Sequence, residues 1–211
     1  MERWATFDCY GTLIDWNGGI RRELARVFGE TRADELLERY HELEPGLEAD
    51  GSRSYREVLT EAMRGLGAPA TEEDALARSL PDWQPFPEVH EALERARAQG
   101  WRLAILSNTD REFIDASIER IGVPFDLAIV ASEIGSYKPA HGHWQAFERE
   151  TNRSPDVHVA ASLFHDVAPA NELRLRSIWI NRLGERPGPE PTRELPDLTV
   201  LPETLDELVA A

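Results

Sequence analysis

Trp4-Ala5-Thr6-Phe7-Asp8-Cys9-Tyr10-Gly11-Thr12-Leu13 is the stretch on which the reading of the chain turns. It reads as a short apolar strand that runs into an acid and breaks at a glycine. An aspartate where a buried strand ends is costly unless it is paired or put to use. The carboxyl edge of the strands in an open α/β sheet is also where ligands bind. Asp8 is therefore either a turn former, since Asp and Gly together are common turn chemistry, or a catalytic carboxylate. The text on either side of it has to choose.

After Thr12 the pattern turns helical. From about Trp16 to Leu80 apolar residues recur at spacings of three and four. Ile20, Leu24 and Val27-Phe28 form one face, and Leu36, Leu37, Tyr40 and Leu43 another. Tyr55, Val58, Leu59, Ala62, Met63 and Leu66 continue the pattern to its end at Gly65 and Gly67. This predicts a helical insert of about four helices with no strand. Pro81, Pro85 and Pro87 mark a connection. Beyond it strands and helices alternate. The strands are Arg102–Leu106, Leu127–Val130, Val157–Ala161 and Ser177–Ile180, with helices over Glu88–Gln99, Arg111–Ile121, near His143 to Thr151, and after Val167. Leu198-Thr199-Val200 reads as a final strand and Pro202 to Ala211 as a closing helix. Such alternation predicts βαβ units. The expected fold is α/β, with a Rossmann-like parallel sheet core over residues 1–14 and 86–211. A helical cap, residues 15–85, is inserted after the first strand.

Composition narrows the function. The chain has 211 residues, 41% of them hydrophobic, enough for one full domain and a smaller appendage. The formal charge of −16 argues against nucleic acid or an anionic membrane as partner, while a local Arg or Lys cluster can still hold an anionic substrate. Cys9 is the single cysteine, so no internal disulfide forms and a reducing compartment is expected. No leader pattern and no apolar run of membrane-spanning length is visible, and a cytoplasmic location is the expectation.

Further polar residues punctuate the later strand ends. Ser107-Asn108-Thr109 follows one strand, and by itself reads as a helix N-cap. Ser136-Tyr137-Lys138-Pro139 follows the next, where a lysine in a loop is ordinarily just solvated. Ser162-Leu163-Phe164-His165-Asp166 follows the third, with His165 either a general base or incidental. Each is weak alone. Together, all at strand C-termini, they point to one site.

In this arrangement Asp8-x-Tyr10-Gly11-Thr12, Ser107-Asn108, Lys138-Pro139 and Asp166 resemble, in order, the four motifs of the haloacid dehalogenase superfamily. The helical insert fits that superfamily's cap, and the resemblance covers essentially the whole chain. It implies that Asp8 is the nucleophile and that Ser107 and Lys138 bind the anionic part of a substrate. Most members are magnesium-dependent phosphatases, with a second Asp two residues after the nucleophile as general acid and a pair of acids in the fourth motif. Here the first position is Tyr10, and the fourth motif reads Ala161-Ser162 before Asp166. A general acid contributes roughly 10²–10⁴-fold, and a magnesium site short of carboxylates is weakened.

Tyr at the second position, Ser in the fourth motif and no metal are similar to the 2-haloacid dehalogenase branch. Halide leaves without a proton, whereas phosphoryl transfer needs charge neutralised. The resemblance implies that Asp8 attacks C2 of a 2-haloacid with inversion, forming an ester. Thr12 would orient Asp8. Lys138, Ser107 and Asn108 would hold the substrate carboxylate, with Tyr10 and Ser162 lining the substrate site. Asp166, paired with Lys138, would position or activate the hydrolytic water.

Ungapped counting places the branch's cap arginine at Arg39, where a solvated surface residue on a glutamate-rich helix is the competing reading. The branch's Tyr after the lysine falls at Trp144, and its Asn after the Ser at Leu163. The family does not assign His165. No cofactor is implied; Mg²⁺ enters only with the alternative, a small-molecule phosphatase with a degenerate metal site. A non-catalytic binding protein on the same fold is a third reading. It is disfavoured by retention of the buried Asp and Lys positions. The expected partner is a small anionic substrate such as a 2-haloacid, with a homodimer possible by analogy with the branch.

Overall fold

The computed structural model describes residues 2–49, 51–186 and 188–210. Its centre is a six-stranded, wholly parallel sheet in the order β3-β2-β1-β4-β5-β6. The strands are β1 (Arg3–Phe7), β2 (Trp101–Ser107), β3 (Leu127–Val130), β4 (Val157–Ala160), β5 (Ser177–Ile180) and β6 (Arg193–Leu195). From β1 the chain winds outward through β2 and β3 on one side and through β4, β5 and β6 on the other. The crevice between β1 and β4 is therefore the topological switch point, where an open α/β sheet binds its ligand.

The period of two along each strand sends alternate residues to opposite faces. Ala5, Phe7, Leu103 and Ile105 enter the larger core, which also takes in α5 (Val89–Ala98) and α6 (Arg111–Ile121). Trp4, Ala104, Leu106 and Ile129 face the other way, against Trp144 and Phe147 of α8 (Gly142–Thr151), the helix after the single turn α7 (Ala131–Ile134). Trp4 and Phe147 meet edge to face at 5.4 Å.

The insert holds α1 (Trp16–Phe28), α2 (Ala33–Glu48), α3 (Tyr55–Gly65) and α4 (Ala75–Ser79), with short 3-10 turns beside α2 and α4. Local chemistry starts these helices: the Asp15 side chain caps α1 at Gly18 N, and Ser54 with Glu57 forms a capping box on α3. The predicted apolar faces close on one another, with Ile20, Leu24, Leu36, Tyr40, Val58, Leu59 and Met63 all buried. The chain leaves and re-enters the core by paired strands of backbone: Phe86 N–H donates to Leu13 O and Asp15 N–H to Gln84 O. Beside this hinge Trp83 packs directly on Gly19, where a Cβ would lie 2.4 Å from the ring. Asp110, at the start of α6, accepts the backbone N–H groups of Tyr55 (3.0 Å) and Arg56 (2.9 Å). A core carboxylate thereby satisfies orphan donors at the N-terminus of a cap helix.

One expected strand is absent. Leu198-Thr199-Val200 forms a turn before α10 (Leu201–Ala210), the helix that follows α9 (Ala168–Glu172) in the chain, and the edge strand is Arg193–Leu195 instead. The Asp197 carboxylate accepts the Thr199 N–H at 2.8 Å, a local bond that competes with a sheet ladder. Charged Arg193 and Glu194 suit an exposed edge.

Candidate active site

Asp8 follows β1 directly, and its N–H still donates to Val159 O of β4 at 3.0 Å. The chain then turns back at Gly11, whose φ of +86° favours glycine. This return brings the Thr12 hydroxyl to Asp8 Oδ2, to which it donates at 2.9 Å. The same hydroxyl accepts the Ala161 N–H at 2.9 Å, which leaves its proton directed at Asp8.

Lys138 reaches the opposite side of the carboxylate. Its Nζ donates to Asp8 Oδ1 at 2.9 Å and to Asp166 Oδ1 at 2.6 Å. Asp166 lies in the π-helical turn Leu163–Val167 that follows β4. His158 of β4 sits behind it, with Nε2 2.9 Å from the same Asp166 oxygen and Nδ1 2.9 Å from Thr6 Oγ1. The Lys138 backbone is clamped by Asn108, whose Oδ1 accepts its N–H (2.7 Å) and whose Nδ2 donates to its carbonyl (3.0 Å). The Lys138–Pro139 peptide is cis.

Charge pairing, working against burial, sets the protonation of this group. Burial opposes the charge on Lys138, but Asp166 and Asp8 outweigh it and hold the ammonium above the ordinary lysine value. Burial likewise opposes the Asp166 charge, and Lys138 followed by the His158 hydrogen bond outweighs it, holding the carboxyl well below the usual range.

Asp8 opens into a cavity of about 590 Å³ between core and cap. Ser107, Lys138, Ser162 and His165 line its core side, and Trp16, Asn17, His41, Glu44 and Glu48 its cap side. The last three project from one face of α2 at spacings of three and four. Glu44 Oε1 accepts the hydroxyls of Tyr40 (2.8 Å) and Tyr55 (2.9 Å), and Glu48 Oε2 accepts Asn108 Nδ2 at 3.3 Å. Burial, reinforced by the charge of Glu44, pushes Glu48 up to about 9, so its carboxyl is neutral near pH 7.

The structure thus brings Asp8, Thr12, Ser107, Lys138, Ser162 and Asp166 to one place, and separates or re-employs other candidates. Arg39 lies outside the cavity. It is exposed, with Nη2 3.5 Å from the Gly65 carbonyl, because it points away from the α2 face that carries His41, Glu44 and Glu48. Trp144 does not reach the cavity either. It is 1% exposed and packs edge to face on His158 at 5.3 Å, since helical spacing puts it with Phe147 on the sheet side of α8. Asn108 is occupied with Lys138 and Glu48, so it positions the lysine rather than offering a free amide to substrate. Tyr10 lines the cavity, but its hydroxyl is bonded to Ser117 Oγ at 3.1 Å. Ser162 caps the π-helical turn: its Oγ accepts the His165 N–H at 3.0 Å and lies 3.2 Å from His165 Nδ1.

Three participants escape a reading of the sequence. His158 is hidden as one polar residue in an apolar strand. Glu44 and Glu48 look like part of a solvated acidic helix, and Pro45-Gly46 between them looks like a helix end, yet α2 runs on through both. The visible signal was the spacing of four between Tyr40, Glu44 and Glu48.

A family model described as haloacid dehalogenase-like hydrolase matches residues 3–160, and the chain belongs to that family. It is a hydrolase of the haloacid dehalogenase superfamily, with that superfamily's parallel sheet and helical cap. Among individual proteins, it is 28% identical to an (S)-2-haloacid dehalogenase of Pseudomonas sp. (strain YL), over 95% of this chain and 93% of that one. It is also 28% identical to a phosphoserine phosphatase of Thermus thermophilus, over 83% of this chain and 73% of that one. The fold matches the crystal structure of the L-2-haloacid dehalogenase RSc1362 with a TM-score of 0.85, at 21% identity and covering 97% and 99% of the two chains.

Proposed function

We propose that this hydrolase is a metal-independent (S)-2-haloacid dehalogenase, which displaces halide through an ester on Asp8 and yields a 2-hydroxy acid. The observation that carries the reading is the nucleophile loop itself. Asp8 is gripped by Thr12 and Lys138, while the position two residues on is a tyrosine whose hydroxyl is engaged with Ser117. Burial raises that phenol well above its ordinary value, so it is no proton donor near neutral pH. A loop that aims a carboxylate but supplies no acid suits a leaving group that departs without a proton.

The residues present do not fit a divalent ion. Asp166 Oδ1 is already shared by Lys138 and His158, and the Lys138 ammonium sits between the two carboxylates of the site. Among the described residues no group of three or more His, Cys, Asp or Glu is arranged to hold a metal.

In the reaction an Asp8 oxygen attacks C2 from the side opposite the halogen. The C–O bond forms, the C–halogen bond breaks with its electron pair leaving on halide, and the carbon inverts. Lys138 and Ser107 hold the substrate carboxylate in this reading, and Thr12, which donates to Asp8, keeps the nucleophile in line. The neutral carboxyl of Glu48 adds no repulsion to an anionic substrate. Water then cleaves the ester at the Asp8 carbonyl carbon. The test is halide release from each enantiomer of 2-chloropropionate with EDTA present, beside p-nitrophenyl phosphate with Mg²⁺. Halide from the S enantiomer alone is expected; phosphate release that depends on Mg²⁺, without halide release, refutes the proposal.

A further inference from the structure

The second half-reaction needs a base for water, and the acid of the fourth motif is poorly suited to be one. Asp166 is 1% exposed: the oxygen that faces Lys138 is shared between that ammonium and His158, and Oδ2, without a partner among the described residues, is closed to solvent. A carboxylate held ionised by a buried cation has little tendency to take up a proton. The cap-side candidates are also engaged. His41 Nε2 meets Asn17 Oδ1 at 2.9 Å, and Glu44 is bonded by two tyrosine hydroxyls.

His165 differs from all of these. It adjoins Asp166 in the π-helical turn after β4 and lines the same cavity as Asp8. Ser162 anchors its Nδ1 side at 3.2 Å, which leaves Nε2 turned towards the cap, 4.0 Å from Glu48 Oε2. That distance is too long for a hydrogen bond, so Nε2 carries no partner at bonding distance among the described residues. The side chain is 28% exposed, open enough to meet water. Burial holds the ring below the ordinary histidine value, which keeps it neutral and able to accept.

Resting on the aspartyl-ester reading above, we propose that His165 is the catalytic base of ester hydrolysis, with Ser162 as the residue that positions its ring. Nε2 takes a proton from water as the water oxygen bonds to the Asp8 carbonyl carbon, giving a tetrahedral intermediate. When that intermediate collapses, the bond from the carbon to the ester oxygen breaks. The departing alkoxide of the 2-hydroxy acid takes the proton back from His165. Asp8 is left as a carboxylic acid and ionises to solvent, so one proton is released per turnover, matching the halide formed.

His165→Gln and His165→Asn test the assignment, with excess (S)-2-chloropropionate as the probe, halide followed by rapid quench, and the intact protein weighed at each time. Both variants are expected to release about one halide per chain at the native rate and then stall, with steady turnover down ~10²–10⁴-fold. The protein mass should rise by that of the acid less hydrogen chloride, and the adduct should map to Asp8. A residue that merely supports the fold would slow the burst as much as the turnover and leave no adduct. That result, or steady turnover within about threefold of native, overturns the assignment. Native protein that releases no halide from either enantiomer overturns the dehalogenase reading, and this assignment with it.

Discussion

Lys138→Met leaves two carboxylates facing each other across the space that an ammonium filled. In the native protein Nζ lies 2.9 Å from Asp8 and 2.6 Å from Asp166, with the lysine side chain 1% exposed. At an effective dielectric of about 20 each attraction is worth roughly 6 kcal/mol. Desolvation of the ions offsets much of that, at several kcal/mol each, and removal of one partner from a buried pair costs about 3–5 kcal/mol. We expect a loss of that size near pH 8.

Its pH dependence follows from the directions of the shifts. Native Asp166 lies below its unfolded value, so its contribution is present above about pH 4 and fades only as pH falls through the folded value. Native Lys138 lies above its unfolded value, so its contribution is full below about pH 10 and fades only in stronger alkali. Neither varies between about pH 5 and 8. Without the cation, burial and the facing Asp8 carboxylate act on Asp166 against the His158 hydrogen bond alone and raise it above its unfolded value, so the variant regains stability as pH falls. The deficit should shrink by up to about 1.4 kcal/mol per pH unit. Urea unfolding followed by tryptophan fluorescence at about pH 5, 6.5 and 8 measures it. A deficit below about 1 kcal/mol at the highest pH, or one that does not change with pH, refutes the reasoning.

Other changes separate the residues that the cavity contains from those it does not. Asp8→Asn should lower halide release by about 10³-fold or more, because an amide is a poor nucleophile; activity near native would remove Asp8 from the chemistry. Arg39→Ala should leave kcat/KM within about twofold, since the side chain is exposed and away from the cavity; steady-state kinetics checks this. Trp144→Ala should cost ~3–5 kcal/mol of stability by emptying the space against His158, seen as a lower urea midpoint.

The candidate site was legible to the extent that its members end or follow apolar strands at their carboxyl ends. Asp8, Ser107 and Asp166 stand out because they end or follow strands that, buried on both faces, carry few polar residues. Lys138 stood out only by order in the chain, since nothing local distinguishes it from a solvated loop lysine. Counting along the chain failed at Arg39 and Trp144, because the direction of a helical side chain changes by about 100° per residue. An uncertainty of one or two positions then exchanges cavity for solvent or core. The cap glutamates were illegible for the opposite reason: acidic residues on an acidic helix give no local sign of burial.

By itself the sequence determined the architecture. The change from a helical period over the insert to alternating strands and helices specifies a parallel sheet with a cap after β1, because backbone groups can be satisfied only in patterns that also hide those apolar faces. Where charge sits, and in which protonation state, was decided by tertiary structure alone. Asp8 and Lys138 are 130 positions apart, and Asn108 and Glu48 are 60 apart. Only folding brings them within bonding distance and withdraws them from water. There the Lys138 ammonium holds Asp166 ionised against burial, while burial beside another carboxyl keeps Glu48 neutral, and no local pattern of residues encodes that difference.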